Sequence, residues 1–218
     1  MTGFGARGFW LFDLDGTLVD SLPAHAAAFR RALAEQAPGR ARSFRYAEIA
    51  GLPTLDAAAR LVEGPAAAGR LARRKQELYR DGAARGEVVL LPGARNLLDR
   101  LRADGRRVHL VTAGSRGSVE RVLTACGIQE AFDGIITAED VPVGKPDPGF
   151  YREACRRWGA DPGEAVAVED SAAGVASAVG AGLLVLHVHT GNAAPGAIAV
   201  PGLDALTALL GEEVRGAG

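Results

Sequence analysis

Asp13 and Asp15, separated by a single leucine, follow the apolar run Phe9-Trp10-Leu11-Phe12 and precede Gly16-Thr17. In extended chain the side chains of residues i and i+2 point the same way. Both carboxylates are therefore expected to converge at the carboxyl end of a strand, the edge where open α/β sheets take their ligands. Two ionised carboxylates about 6 Å apart, at an effective dielectric of about 20, repel by about 3 kcal/mol, or roughly two pK units. Such a pair shares a proton or recruits a cation. One acid suffices to cap a strand end, so the second calls for chemistry.

Further polar groups stand at comparable places. Val111-Thr112-Ala113-Gly114-Ser115 puts a hydroxyl and then small residues after an apolar run, which lets backbone N–H groups approach an anion closely. Gly144-Lys145-Pro146-Asp147-Pro148 holds a lysine on a stiff turn, and Asp147-Pro148 reads as a helix start. Lys75 and Lys145 are the only lysines in a chain with 25 basic residues, the rest being arginine. An ammonium is a compact point charge suited to lie between a phosphate and a carboxylate, which singles out Lys145. Lys75, inside Arg73-Arg74-Lys75, is expected on a solvated helix face. Glu169-Asp170 adds two more acids behind the run Ala165–Val168, and Ser171-Ala172-Ala173-Gly174 begins a helix of small residues that can pack closely on a sheet.

The elements that must position these groups follow from hydrophobic patterning. Phe9–Phe12, Val108–Val111, Gly134–Thr137, Ala165–Val168 and Leu183–Val188 read as buried strands. Between them Ala94–Arg102, Ser118–Cys126 and Phe150–Trp158 carry apolar residues at helical period. Strands alternating with amphipathic helices predict a parallel sheet covered on both faces. The stretch from Pro23 to Gly86 breaks this rhythm, reading as helices over Pro23–Gln36, Thr54–Val62 and Pro65–Arg85. The fold class expected is α/β, a Rossmann-like parallel sheet core (residues 1–21 and 87–218) with a small helical cap domain (residues 22–86) inserted after the first strand. Gly191–Gly202, rich in Gly, Ala and Pro, is expected to be a surface loop before a short helix near Leu203–Leu210.

The four motifs, in this order and at strand ends, resemble those of the haloacid dehalogenase superfamily of phosphotransferases. The resemblance implies an aspartyl nucleophile at Asp13 and a general acid/base at Asp15. It implies phosphate binding by Thr112, Ala113 and Lys145. It places Mg²⁺ with Asp13, Asp15 and Asp170, with Glu169 beside them in an outer or alternate role, and makes the helical insert the family's small cap. A dehalogenase of this superfamily lacks the second aspartate, so Asp15 points to phosphoryl chemistry. Nucleophile, Asp170 and a phosphate dianion bring together about four negative charges against about three positive ones on Mg²⁺ and Lys145.

Within the superfamily the chain is similar to phosphatases of small sugar and polyol phosphates, with β-phosphoglucomutase as the close alternative. His25 falls where the mutase has a cap-linker histidine, so it is a candidate substrate-binding residue. Thr54 stands where the mutase has an arginine, which argues against a second phosphate site, although Arg42, Arg45 or Arg60 offer alternatives. The other readings are a receiver-like phosphoacceptor domain, against which the helical insert argues, and a silent phosphosugar-binding relative.

Composition sets the outer bounds. With 48% hydrophobic and 23% charged residues the chain is globular, and a net charge of −1 excludes a broad nucleic-acid footprint. No apolar run is long enough to span a bilayer, and the N-terminal run ends in acid too soon for a signal peptide. Cys126 and Cys155 cannot build a disulfide framework. The expectation is a cytoplasmic enzyme, monomer or weak homodimer, whose partner is a small phosphorylated metabolite, with no nucleic acid and no membrane. Gly3-x-Gly5-x-x-Gly8 precedes a strand and so is no dinucleotide fingerprint, and Gly144-Lys145-Pro146 is no P-loop. His187 and His189 alternate along the last strand and are expected to pack there.

Overall fold

The computed structural model describes residues 3–216. Its contacts divide the chain into two compact units: the described residues of 1–20, 90–116 and 127–218 form one, and residues 21–89 with 117–126 form the other.

The first unit is built on strands β1 (Phe9–Phe12), β4 (Arg107–Val111), β5 (Gly134–Ile136), β6 (Ala165–Glu169), β7 (Leu184–Val188) and β8 (Ile198–Val200). They lie in the order β5-β4-β1-β6-β7-β8, every neighbouring pair parallel. From β1 the chain winds outward through β4 and β5, then returns to the other side of β1 and winds out through β6, β7 and β8. The winding reverses where β1 meets β6, and the crevice beyond the carboxyl ends of strands at such a reversal is where this architecture binds ligands. Helices α5 (Ala94–Ala103), α7 (Gly149–Trp158), α8 (Ala172–Gly180) and α9 (Leu203–Gly216) complete the unit.

Strand alternation sorts the core. Leu11 faces a cluster with Val111, Ile136, Phe150, Tyr151 and Val175, while Trp10 and Phe12 stack on each other with ring centroids 6.2 Å apart. Every residue of β6 is buried, as a central parallel strand requires. The stretch expected to be a loop over Gly191–Gly202 contains β8, paired with β7. Three residues at a sheet edge are too few to show a period.

The second unit is helical: α1 (Leu22–Gln36), α2 (Pro38–Ala41), α3 (Thr54–Leu61) and α4 (Pro65–Ala84), with α1 and α3 both packed on α4. The residues of α6 (Arg116–Cys126) from Gly117 onward group with this unit, whereas the sequence placed them with the sheet. The strands β2 (Val19–Asp20) and β3 (Val89–Leu90) form a separate two-stranded sheet where the chain leaves and re-enters the first unit.

Lys75 corrects an expectation. It is buried, 3% exposed, not solvated. On α4 it shares a face with Leu71, Leu78, Tyr79 and Gly82, all buried, at spacings of four, three or four, and seven residues. Its ammonium lies 2.8 Å from His25 Nδ1 and 4.9 Å from the centre of the Tyr79 ring, and the His25 ring stacks on Tyr79 at 4.0 Å. The flanking arginines masked that periodicity.

Candidate active site

Asp13 takes its place from the β1–β6 ladder. Its N–H donates to the Val168 carbonyl at 3.0 Å, one step past the last paired residues, which sets it beside the end of β6. The chain then turns sharply. Gly16 has φ +85°, and the N–H groups of Leu18 and Val19 both donate to the Leu14 carbonyl. A side chain at Gly16 would put its Cβ 2.2 Å from Asp170 Oδ2, so only glycine lets this turn close over Asp170. Next to it Thr17 donates its hydroxyl to Asp170 Oδ1 at 3.0 Å. Gly16-Thr17 is therefore a fitted seat for Asp170, a role that spacing alone does not disclose.

Lys145 arrives from the loop between β5 and α7, which is tied to α8 by Ser177 Oγ donating to the Asp147 carbonyl at 2.6 Å. Its ammonium donates to Asp13 Oδ1 at 2.7 Å, to the Val111 carbonyl at 2.9 Å and to Glu169 Oε1 at 2.5 Å. Three tetrahedral donors meet three acceptors from three strand ends in a buried place. A planar guanidinium matches neither the space nor the directions, which explains why this position is lysine in an arginine-rich chain.

Glu169 is fully buried. Besides Lys145 it accepts from Tyr151 Oη at 2.8 Å and Ser171 Oγ at 3.3 Å. The carboxylate occupies the space a Cβ on Gly174 would need, 2.0–2.2 Å away, so the small residues after it serve the glutamate as well as helix packing. Ser171 caps α8, accepting from Gly174 N at 3.0 Å.

Oxygen atoms of Asp13, Glu169 and Asp170 all lie within 4.8 Å of one another. Burial raises the Asp13 carboxyl well above its ordinary range; Lys145 opposes this, while Glu169 and Asp170 add to it. Asp170 is raised by burial and by Glu169, with Thr17 opposing. Burial alone would push the Lys145 ammonium down, but Asp13 and Glu169 outweigh it and hold it above its usual value. One ammonium thus faces three crowded carboxylates. A hard divalent cation of the Mg²⁺ type fits this all-oxygen donor set and relieves the excess negative charge.

The carboxylates that cluster are those of Asp13, Glu169 and Asp170; the Asp15 side chain is not among them. Asp15 is half-buried, its backbone bridged to Val19. The extended geometry that predicted convergence ends at Phe12, before the turn at Gly16. Thr112 is buried at the end of β4, its hydroxyl accepting from Gly114 N at 3.1 Å, and Ala113 beside it is exposed. His25 lies in the helical unit, with Lys75 and Tyr79 as partners.

The comparison with known families decides the affiliation: the description "haloacid dehalogenase-like hydrolase" matches residues 11–182. This chain belongs to the haloacid dehalogenase-like hydrolases. It is an enzyme, a phosphoric monoester hydrolase. It is 34% identical over 183 residues to hexitol phosphatase A of Escherichia coli, covering 84% of this chain and 83% of that one. It is also 34% identical over 190 residues to the validoxylamine A 7'-phosphate phosphatase of Streptomyces hygroscopicus subsp. limoneus, covering 83% and 84%. The solved structure of CbbY from Rhodobacter sphaeroides in complex with phosphate superposes with a TM-score of 0.79 at 29% identity, covering 90% of this chain and 95% of that one.

Proposed function

We propose that this hydrolase cleaves a small sugar or polyol phosphate in two steps through an aspartyl-phosphate on Asp13, with Mg²⁺ as cofactor. The observation that carries the reading is the Lys145 ammonium, bound to both Asp13 and Glu169 in a cluster still short of positive charge. Asp13, Glu169 and Asp170 would hold the cation. When bound, Mg²⁺ supplies charge neutralisation and Lewis acidity at the phosphoryl group.

The chain's own residues supply the rest. Lys145 orients the Asp13 carboxylate and opposes the rise that burial imposes on it, favouring the ionised form needed for attack on phosphorus. The Thr112 hydroxyl and the small residues after it offer donors to the phosphoryl oxygens. Asp15 protonates the departing sugar oxygen, then takes a proton from the water that cleaves the aspartyl-phosphate. That the substrate is a sugar or polyol phosphate is supported by the named relatives, which act on hexitol phosphates and on validoxylamine A 7'-phosphate. Selection among such substrates falls to the helical insert, because the sheet motifs serve the chemistry common to all of them. Thr54, at the start of α3, carries no charge to clamp a second phosphate, which favours hydrolysis over mutase transfer.

The test is phosphate release from a panel of hexitol, hexose, pentose and glycolate phosphates, with and without EDTA. Release from a sugar or polyol phosphate, abolished by chelation and restored by Mg²⁺, is expected. Undiminished turnover in the chelated enzyme would overturn the metal assignment.

A further inference from the structure

We propose that His187 and His189 are positioning residues that hold the two loops carrying Asp13 and Asp170 in the geometry needed for tight cation binding. The inference rests on the metal reading above and extends it to side chains outside the acidic cluster.

The first observation is the place of His187. In the β6–β7 register it stands opposite Glu169, at the carboxyl end of the sheet. Its ring is nearly buried and both nitrogens are engaged. Nδ1 accepts from Ala194 N at 2.9 Å, which leaves the proton on Nε2, and Nε2 donates to the Asp170 backbone carbonyl at 2.9 Å. The imidazole thus links the 190–197 loop to the backbone of a cluster residue.

His189 makes the second grip. Two residues on, its Nε2 donates to the Thr17 carbonyl at 3.0 Å. Among the described residues it is the one non-glycine with a left-handed backbone, φ 60°. That conformation is uncommon outside glycine, although histidine enters it more readily than most residues. Here the left-handed turn accompanies a bond that spans 172 residues of sequence.

The two bonds close a circuit. His189 fixes the carbonyl of Thr17, the Thr17 hydroxyl fixes the Asp170 carboxylate, and His187 fixes the Asp170 carbonyl. Gly16, closed over Asp170, completes it. Groups that orient ligands in this way govern metal affinity, and their loss generally weakens it by about 10–100-fold. Mere strand-end packing needs neither the defined tautomer nor the left-handed residue.

The experiment measures Mn²⁺ affinity directly, by the paramagnetic resonance of free Mn²⁺, for the full chain and three variants. His187→Gln can still reach the Asp170 carbonyl, whereas His187→Asn reaches only as far as Ala194. His189→Asn tolerates the left-handed backbone but is too short for Thr17 and, being exposed, leaves the core intact. We expect Mn²⁺ binding about tenfold or more weaker in His187→Asn and His189→Asn, and within about threefold of the parent in His187→Gln, with thermal midpoints that do not track this order. Equal affinity in all folded variants overturns the positioning role and leaves the metal site standing. Absence of Mn²⁺ binding in the parent protein overturns the metal reading itself.

Discussion

At the residue scale the site is held together by exclusions of size as much as by bonds. Gly16 and Gly174 each leave room where a carboxylate lies, and Lys145 fills a place with three acceptors and little exposed surface. Replacing Lys145 by arginine keeps the charge but cannot make three convergent bonds in that volume. We expect Lys145→Arg to lower kcat/KM on the order of 100-fold or more, measured by steady-state phosphate release at saturating Mg²⁺. Activity within a few-fold of the parent would show that charge alone matters there. The residues that carry this chemistry were legible because acids, a hydroxyl and a rare lysine recur behind apolar runs. Their partners were not. The Asp13–Lys145 bond spans 132 residues and the Thr17–Asp170 bond 153, and no local pattern reports contacts of that range. His187 and His189 read as packing for the same reason.

At the element scale, β4 carries a group with a distinct pH signature. His109 is buried, stacked on Trp158 of α7 at 4.0 Å, and neither ring nitrogen has a hydrogen-bond partner among the described residues. Burial, with Arg107 adding and Asp133 opposing, lowers its pKa to about 4 from 6.5. The folded state therefore binds this proton more weakly than the unfolded chain. Stability from the neutral ring is full above pH 6.5 and is lost as pH falls towards 4. From pH 7 to pH 5 the loss is about 2 kcal/mol. Urea unfolding at the two pH values should show His109→Phe losing less stability on acidification than the parent by about that amount; identical losses would mean the ring is solvated or paired. The central strands and the helices flanking them were readable from their apolar runs and periods, each long enough to count. The two-residue strands β2 and β3 and the edge strand β8 were not, since pairing rather than pattern defines such short pieces. The burial of Lys75 was present in the α4 period but obscured by Arg73 and Arg74.

At the scale of the whole molecule, one reversal of strand order gathers the chemistry. Because winding turns back at β1 and β6, the carboxyl ends of these adjacent strands and the residues just after them supply Asp13, Glu169 and Asp170, and the loop after β5 brings Lys145 to them. The cluster lies within the sheet unit, while the helical unit has a core of its own around α1 and α4. This separation suits an enzyme whose reaction is common to its family and whose substrate is its own. The step on which the proposed reaction depends is covalent phosphorylation of Asp13. It is tested by acid-quenching the enzyme after brief reaction with radiolabelled p-nitrophenyl phosphate and Mg²⁺, and counting label on the protein before and after hydroxylamine. Asp15→Asn should accumulate hydroxylamine-labile label because its phospho-enzyme hydrolyses slowly, and Asp13→Asn should carry none. Label retained on Asp13→Asn would mean that another residue is the nucleophile.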